Sequence, residues 1–184
     1  MRRIIYGVNV TEQAASHFSL FGLPEQFAVS LSDLEQAWKT VSARVHPDRY
    51  STASAAEKRV AMQWSSRINE AYQVLKNPLA RARYLCERAG ADIGAENNTA
   101  MAPQFLMAQM EWHEALDELR DQPDAERVRE FLHTLEQAET DLYAQLHTLL
   151  DVRKDIPAAT AKVREGMFIS KIHQDAKALL RQPK

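Results

Sequence analysis

Leu31, Leu34, Trp38, Val41 and Val45 recur at steps of three and four, the period that gathers side chains on one helical face. The spacing predicts an amphipathic helix over 31–45. Ser30 can cap it, Asp33 follows at the third helical position, and Val29 with Leu34 has the spacing of a hydrophobic staple. Pro47 ends it by disfavouring helical geometry at His46. Ser54 to Glu57 is a capping-box pattern opening a second helix, with Ala61, Trp64, Ile68, Ala71, Tyr72 and Leu75 on its apolar side and Asn77-Pro78 at its end. Pro78 then starts a shorter helix carrying Leu79, Ala82, Tyr84 and Leu85, closed near Gly90.

The stretch "ADIGAENNTAMAP" has no helical stripe and reads as a connection. Beyond it lie helical patterns at about 103 to 120, 124 to 150 and 157 to 181, separated by "RDQPD" and "RKDIP". Short turns between long amphipathic helices imply antiparallel neighbours, hence a three-helix bundle. The expected organisation is an extension at 1–17, an all-α domain at 18–90, a linker at 91–102 and a second all-α domain at 103–184. The opening "MRRIIYGVNVTEQ" has too short an apolar run for a signal or anchor and reads as a frayed extension.

Composition narrows the function. With 184 residues, 45% apolar and 26% charged, the chain has the balance of a folded soluble protein. Cys86 has no partner for a disulfide or a cysteine-based zinc site, which suits a reducing cytoplasm. Trp38, Trp64 and Trp112 lie on apolar stripes and read as core anchors. The histidines lack ligand spacing, so neither a metal nor a cofactor is expected. The net charge of -2 conceals an uneven distribution. Residues 30 to 90 carry ten Lys/Arg against six Asp/Glu, and residues 91 to 150 carry three against thirteen. So acidic a middle repels phosphates and favours a basic protein partner over nucleic acid.

Two places carry candidate chemistry. In "ARVHPDRYS", Pro47 fixes its own backbone angle and stiffens the loop, so that His46 and Asp48 form a compact polar head able to donate, accept and pair with an arginine. The plain alternative is a helix-ending proline between ordinary loop residues. On the helix from Pro103, Phe105, Ala108, Trp112, Ala115, Leu116 and Leu119 share one arc, the expected core face. Leu106, Met107 and Met110 lie roughly opposite and continue into Glu111, Glu114 and Glu118. An apolar patch grading into acid suits a protein partner, since thioethers adapt to its shape and the acids orient it. Packing against the N-terminal domain, with the glutamates merely solvated, explains the same pattern.

The order of helix, "HPDR", a helix containing "INEAYQVL", then "NPLARARYL" resembles the J domain, in which an antiparallel helical hairpin holds a His-Pro-Asp loop at its tip. With "FSLFGLPEQF" upstream, the chain resembles the HscB family, the J-domain co-chaperones of iron-sulfur cluster assembly. The resemblance implies a non-enzymatic, monomeric, cytoplasmic protein. It would bind a DnaK-type chaperone, HscA, and stimulate its ATPase through His46, Pro47 and Asp48, with Lys39, Arg44 and Arg49 as steering charges. J domains usually show a more basic surface at that helix than this chain does. The resemblance also implies that Leu106, Met107, Met110, Glu111, Glu114 and Glu118 bind the iron-sulfur scaffold protein IscU, with Phe168 a further contact, although Phe168 aligns equally with the core stripe of Ile172, Ala176 and Leu179. Rival readings are a J-domain co-chaperone for a different client and a helical hydrolase using His46 and Asp48 as acid and base. The second lacks an accompanying nucleophile, metal cluster or phosphate-binding glycine loop.

Overall fold

The computed structural model describes residues 4–5, 8–9, 16–94 and 101–180. Most of the extension and residues 95–100 of the expected linker lie outside the described residues. Within the extension, β1 (Ile4–Ile5) pairs antiparallel with β2 (Val8–Asn9), matching Ile4 with Asn9 and Ile5 with Val8, where the sequence suggested only a frayed segment. Every other described element is helical. Among the described residues no helix is long and apolar enough to cross a membrane.

The chain divides into two compact units, 1–81 and 82–184. In the first, α1 (His17–Leu20) is capped by Ser16, whose hydroxyl accepts from the Ser19 N–H, and buries Phe18 completely. The hairpin is α2 (Leu31–Val45) and α3 (Ala55–Lys76). Ser30 Oγ accepts from the Asp33 N–H at 3.3 Å, and Ser54 and Glu57 close a complete capping box, so the predicted starts of both helices hold. The core joins Phe18, Phe27, Leu34, Val45, Ala61, Ile68, Ala71 and Leu75. Leu31 corrects the predicted stripe: it is 55% exposed, because it is the first residue of α2.

α4 (Pro78–Arg88) is capped by Asn77, whose Oδ1 accepts from the Ala80 N–H. Gly90 follows it at φ 88°, a left-handed angle that glycine adopts without penalty. Arg81 is buried, donating to the Leu75 carbonyl at the end of α3 while its guanidinium lies 5.1 Å from the Phe27 ring centroid. The cation satisfies a helix-terminal carbonyl that would otherwise be stranded away from water.

In the second unit, α5 (Pro103–Asp121), α6 (Ala125–His147) and α7 (Ile156–Leu179) form the bundle. Its core is Leu116, Leu119, Val128, Phe131, Leu132, Leu135, Ile172 and Ala176, with Trp112, Ala115, Phe168 and Leu179 packed against it. Asp124 and Asp155 cap α6 and α7 through their carboxylates. α6 leaves through a π-helical turn, Thr148–Arg153, and Lys154 takes a left-handed φ of 54° before α7.

Compactness splits the chain inside α4, ahead of the compositional linker at 91–102. The reason lies in long-range contacts of the residues after Ala82. Cys86 is fully buried, and Arg164 donates to the carbonyls of Asp92 at 2.8 Å and Ile93 at 3.2 Å. Burial pushes the Cys86 thiol above its usual pKa, so it behaves as a small core side chain.

Candidate functional site

His46 ends α2 with an extended backbone, φ −60° and ψ 129°, the conformation the following proline favours. Pro47–Tyr50 then form one turn of 3₁₀ helix. His46 Nδ1 accepts from the Asp48 N–H at 3.4 Å and lies 3.5 Å from Asp48 Oδ2. Both side chains remain open to solvent, His46 at 59% and Asp48 at 89% exposure. The pair is therefore preorganised on the surface, with most of its hydrogen-bonding capacity unspent.

The turn is fastened from behind. Arg49 donates to the Ala43 carbonyl at 3.2 Å, and the Tyr50 hydroxyl donates to the Arg44 carbonyl at 3.0 Å. These bonds satisfy carbonyls in the last turn of α2, which have no partner further along the helix. Arg49, expected to be a steering charge, thus points back at its own helix. Lys39 is paired with Glu35 at 2.7 Å. The hydrogen bond and charge of Lys39 hold the Glu35 carboxyl below its ordinary pKa, and Glu35 raises Lys39 in return. Of the three expected cations, Arg44 is exposed and carries no ion pair among the described residues.

The sequence also hid an aromatic surface on the same hairpin. Trp38 is only half-buried. It stacks on Tyr72 at 4.7 Å and 23°, and its Nε1 donates to Asn69 Oδ1 at 3.0 Å. Lys76 lies 5.5 Å from the Tyr72 ring centroid. Trp64 and Trp112 are likewise half-buried, so none of the three tryptophans is the fully enclosed anchor that the stripes suggested. Their size explains it, since an indole on a thin two-helix or three-helix layer reaches the surface at one edge. The spacing of Glu35 and Lys39, four residues apart, was the available signal for their pairing.

In the second unit the structure brings together the residues expected on α5. Leu116 and Leu119 are buried while Leu106, Met107 and Met110 are 45%, 64% and 66% exposed. Glu111, Glu114 and Glu118 are exposed along the same side. Glu118 is not a free acid, because Arg127 of α6 donates to it at 3.0 Å. Phe168 on α7 is half-buried and sits edge-on to two rings of α5, Phe105 at 5.9 Å and His113 at 5.3 Å. It is therefore both a packing residue and a partly accessible one, and the two sequence readings of it were not exclusive.

Two family models match this chain. One, described as the DnaJ domain, matches residues 16–84, and the other, described as the HSCB C-terminal oligomerisation domain, matches residues 101–177. The chain is 58% identical over 167 residues to the co-chaperone protein HscB homolog of Bordetella avium, covering 90% of this chain and 98% of that one. It is 48% identical to the homolog of Paraburkholderia phymatum, over 85% of this chain and 89% of that one. Among solved structures, chaperone HscB from Vibrio cholerae superposes with a TM-score of 0.78 at 33% identity, covering 91% and 98% of the two chains. Human co-chaperone protein HscB superposes with a TM-score of 0.81 over 89% and 81%; at 24% identity that likeness concerns the fold.

Proposed function

Because this chain belongs to the HscB family of J-domain co-chaperones, we propose that it binds the iron-sulfur scaffold protein IscU through α5, presents it to a DnaK-type chaperone, HscA, and stimulates that chaperone's ATPase through the His46-Pro47-Asp48 turn. The observation that carries the reading is the openness of both surfaces in one chain. The polar head is exposed and braced in the first unit, and Leu106, Met107 and Met110 are exposed beside acids in the second.

No bond is made or broken on this protein in the proposed cycle. His46 and Asp48 supply a fixed pair of hydrogen-bonding groups that fit the hydrolysis-competent conformation of the chaperone better than the resting one, and that difference in affinity shifts the chaperone's equilibrium. Arg44 supplies attraction at longer range, while the stacked, half-buried Trp38 and Tyr72 rings offer apolar area elsewhere on the hairpin. On α5, the apolar patch supplies contact area and the glutamates favour a basic partner surface in one orientation. Holding chaperone and client on one chain raises the effective concentration of each near the other, so that modest individual affinities suffice.

A steady-state ATPase assay of the cognate chaperone, with and without IscU, tests the reading. Wild-type protein is expected to stimulate hydrolysis, further so with IscU present, and His46→Gln to stimulate far less while binding IscU normally. Equal stimulation by both proteins would overturn the assignment of the turn. Stimulation without any IscU binding would instead favour a different client.

A further inference from the structure

We infer that the client-binding face crosses from α5 onto α7 through His113, which acts as the positioning residue for Phe168. The inference rests on the proposed client surface and deepens it. Leu106, Met110 and His113 follow one another at steps of four and three, so they form one stripe along α5, and all three are exposed. His113 is nevertheless not loose. Its ring meets Phe168 at 5.3 Å and 72°, an edge-to-face contact.

Phe168 has a second ring on its other side, Phe105, at 5.9 Å and 84°. Phe105 is backed in turn by Trp112 at 6.0 Å and 79°. Phe105 and His113 are eight residues apart, just over two helical turns, so the Phe168 ring reaches from α7 into the space between them. One wall of that slot, Phe105, leads to the half-buried Trp112; the other, His113, stands in solvent. Without the imidazole the outward wall is gone, and Phe168 can turn away from the Leu106 and Met110 stripe into other staggered rotamers.

The partner this face fits is a segment that lays apolar side chains over Leu106, Met110 and the held Phe168 ring and extends basic residues towards Glu111 and Glu114.

The test is calorimetric titration of purified IscU into full-length wild type, His113→Ala, His113→Phe, Phe168→Ala and the double variant His113→Ala/Phe168→Ala. Leu106→Ala/Met107→Ala serves as the control. His113→Ala is expected to weaken binding about tenfold and His113→Phe to recover most of the loss, with melting temperatures close to wild type because His113 is exposed. The double variant should bind no more weakly than Phe168→Ala alone, since the imidazole acts through that ring. Wild-type affinity for His113→Ala, or losses that simply add in the double variant, would overturn the inference while the control still loses binding. A control that binds as wild type overturns the client surface itself, and this inference with it.

Discussion

Truncating the exposed apolar patch of α5 separates a binding surface from a packing surface quantitatively. In the free chain Leu106, Met107 and Met110 are 45%, 64% and 66% exposed, so a partner can bury only about half to two thirds of each. Full burial of a Leu or Met side chain is worth about 1.5–3 kcal/mol, which leaves roughly 1–2 kcal/mol per residue available to binding. Alanine retains the β-carbon and part of that contact, so each truncation should cost about 1 kcal/mol. The Leu106→Ala/Met107→Ala pair is then expected to weaken IscU binding by about thirtyfold, and the triple variant with Met110→Ala by more than about a hundredfold. The fold should register the change less than binding does. What these residues already bury, about a third to a half of each side chain, is worth about 2 kcal/mol in total on the same scale, a melting shift of roughly 4–8 °C for a protein of this size. Calorimetry with IscU and circular dichroism melts on the same samples provide both numbers. If the triple variant lost less than about threefold in affinity, the patch would not be the client surface. If melting fell by more than about 12 °C, the residues would be holding the bundle together.

Glu118 already accepts from Arg127, so recruiting it to a basic client means exchanging partners, and Glu118→Gln should weaken IscU binding less than Glu114→Gln in the same titration. Leu135 is completely buried in the bundle core, and Leu135→Ala should destabilise the protein by about 2–5 kcal/mol in urea unfolding. Burial raises the Cys86 pKa above that in the unfolded chain, so the folded form keeps its proton as pH rises. The stabilisation is complete below the usual thiol value of about 8.5 and is lost progressively above it. Wild type should therefore lose more stability than Cys86→Ala between about pH 8.5 and 10.5, and parallel pH profiles would contradict the burial argument. The family model over 101–177 is described as an oligomerisation domain, whereas the resemblance drawn from the sequence implies a monomer. Sedimentation at increasing concentration is expected to give the monomer mass, and a heavier species abolished by Met110→Glu would place self-association on α5.

The helices were legible from local signatures: stripes at the right period, capping side chains at the starts of α2, α3, α6 and α7, and a proline or glycine just past the ends of α2, α3, α4 and α5. Ser30, Ser54, Asp124 and Asp155 all cap as their positions suggest. What stayed hidden depends on residues far apart in sequence. Arg81 looks like any surface cation until Phe27 and the Leu75 carbonyl enclose it. The division of the chain within α4 follows from the residues after Ala82 packing into the second unit, with Arg164 reaching Asp92 and Ile93, pairings more than seventy residues apart. The π-helical turn at Thr148–Arg153 has no proline or glycine to mark it, and its sequence continues the helical pattern of α6. At the candidate sites the composition of both surfaces was readable, but the electrostatics were not. Which of Lys39, Arg44 and Arg49 remains unpaired is decided by rotamers that bring Glu35 and a backbone carbonyl into reach.

The Arg49 and Tyr50 bonds that brace the His46 turn close within a span of eight residues, from Ala43 and Arg44 to Arg49 and Tyr50. That bracing is thus encoded by a contiguous piece of chain ending one helix, while α3 packs against the turn. Such a piece is portable: transplanted to the last turn of an unrelated helix, it should refold into the same shape, whereas any activity it retained would report how much the surrounding hairpin surface contributes.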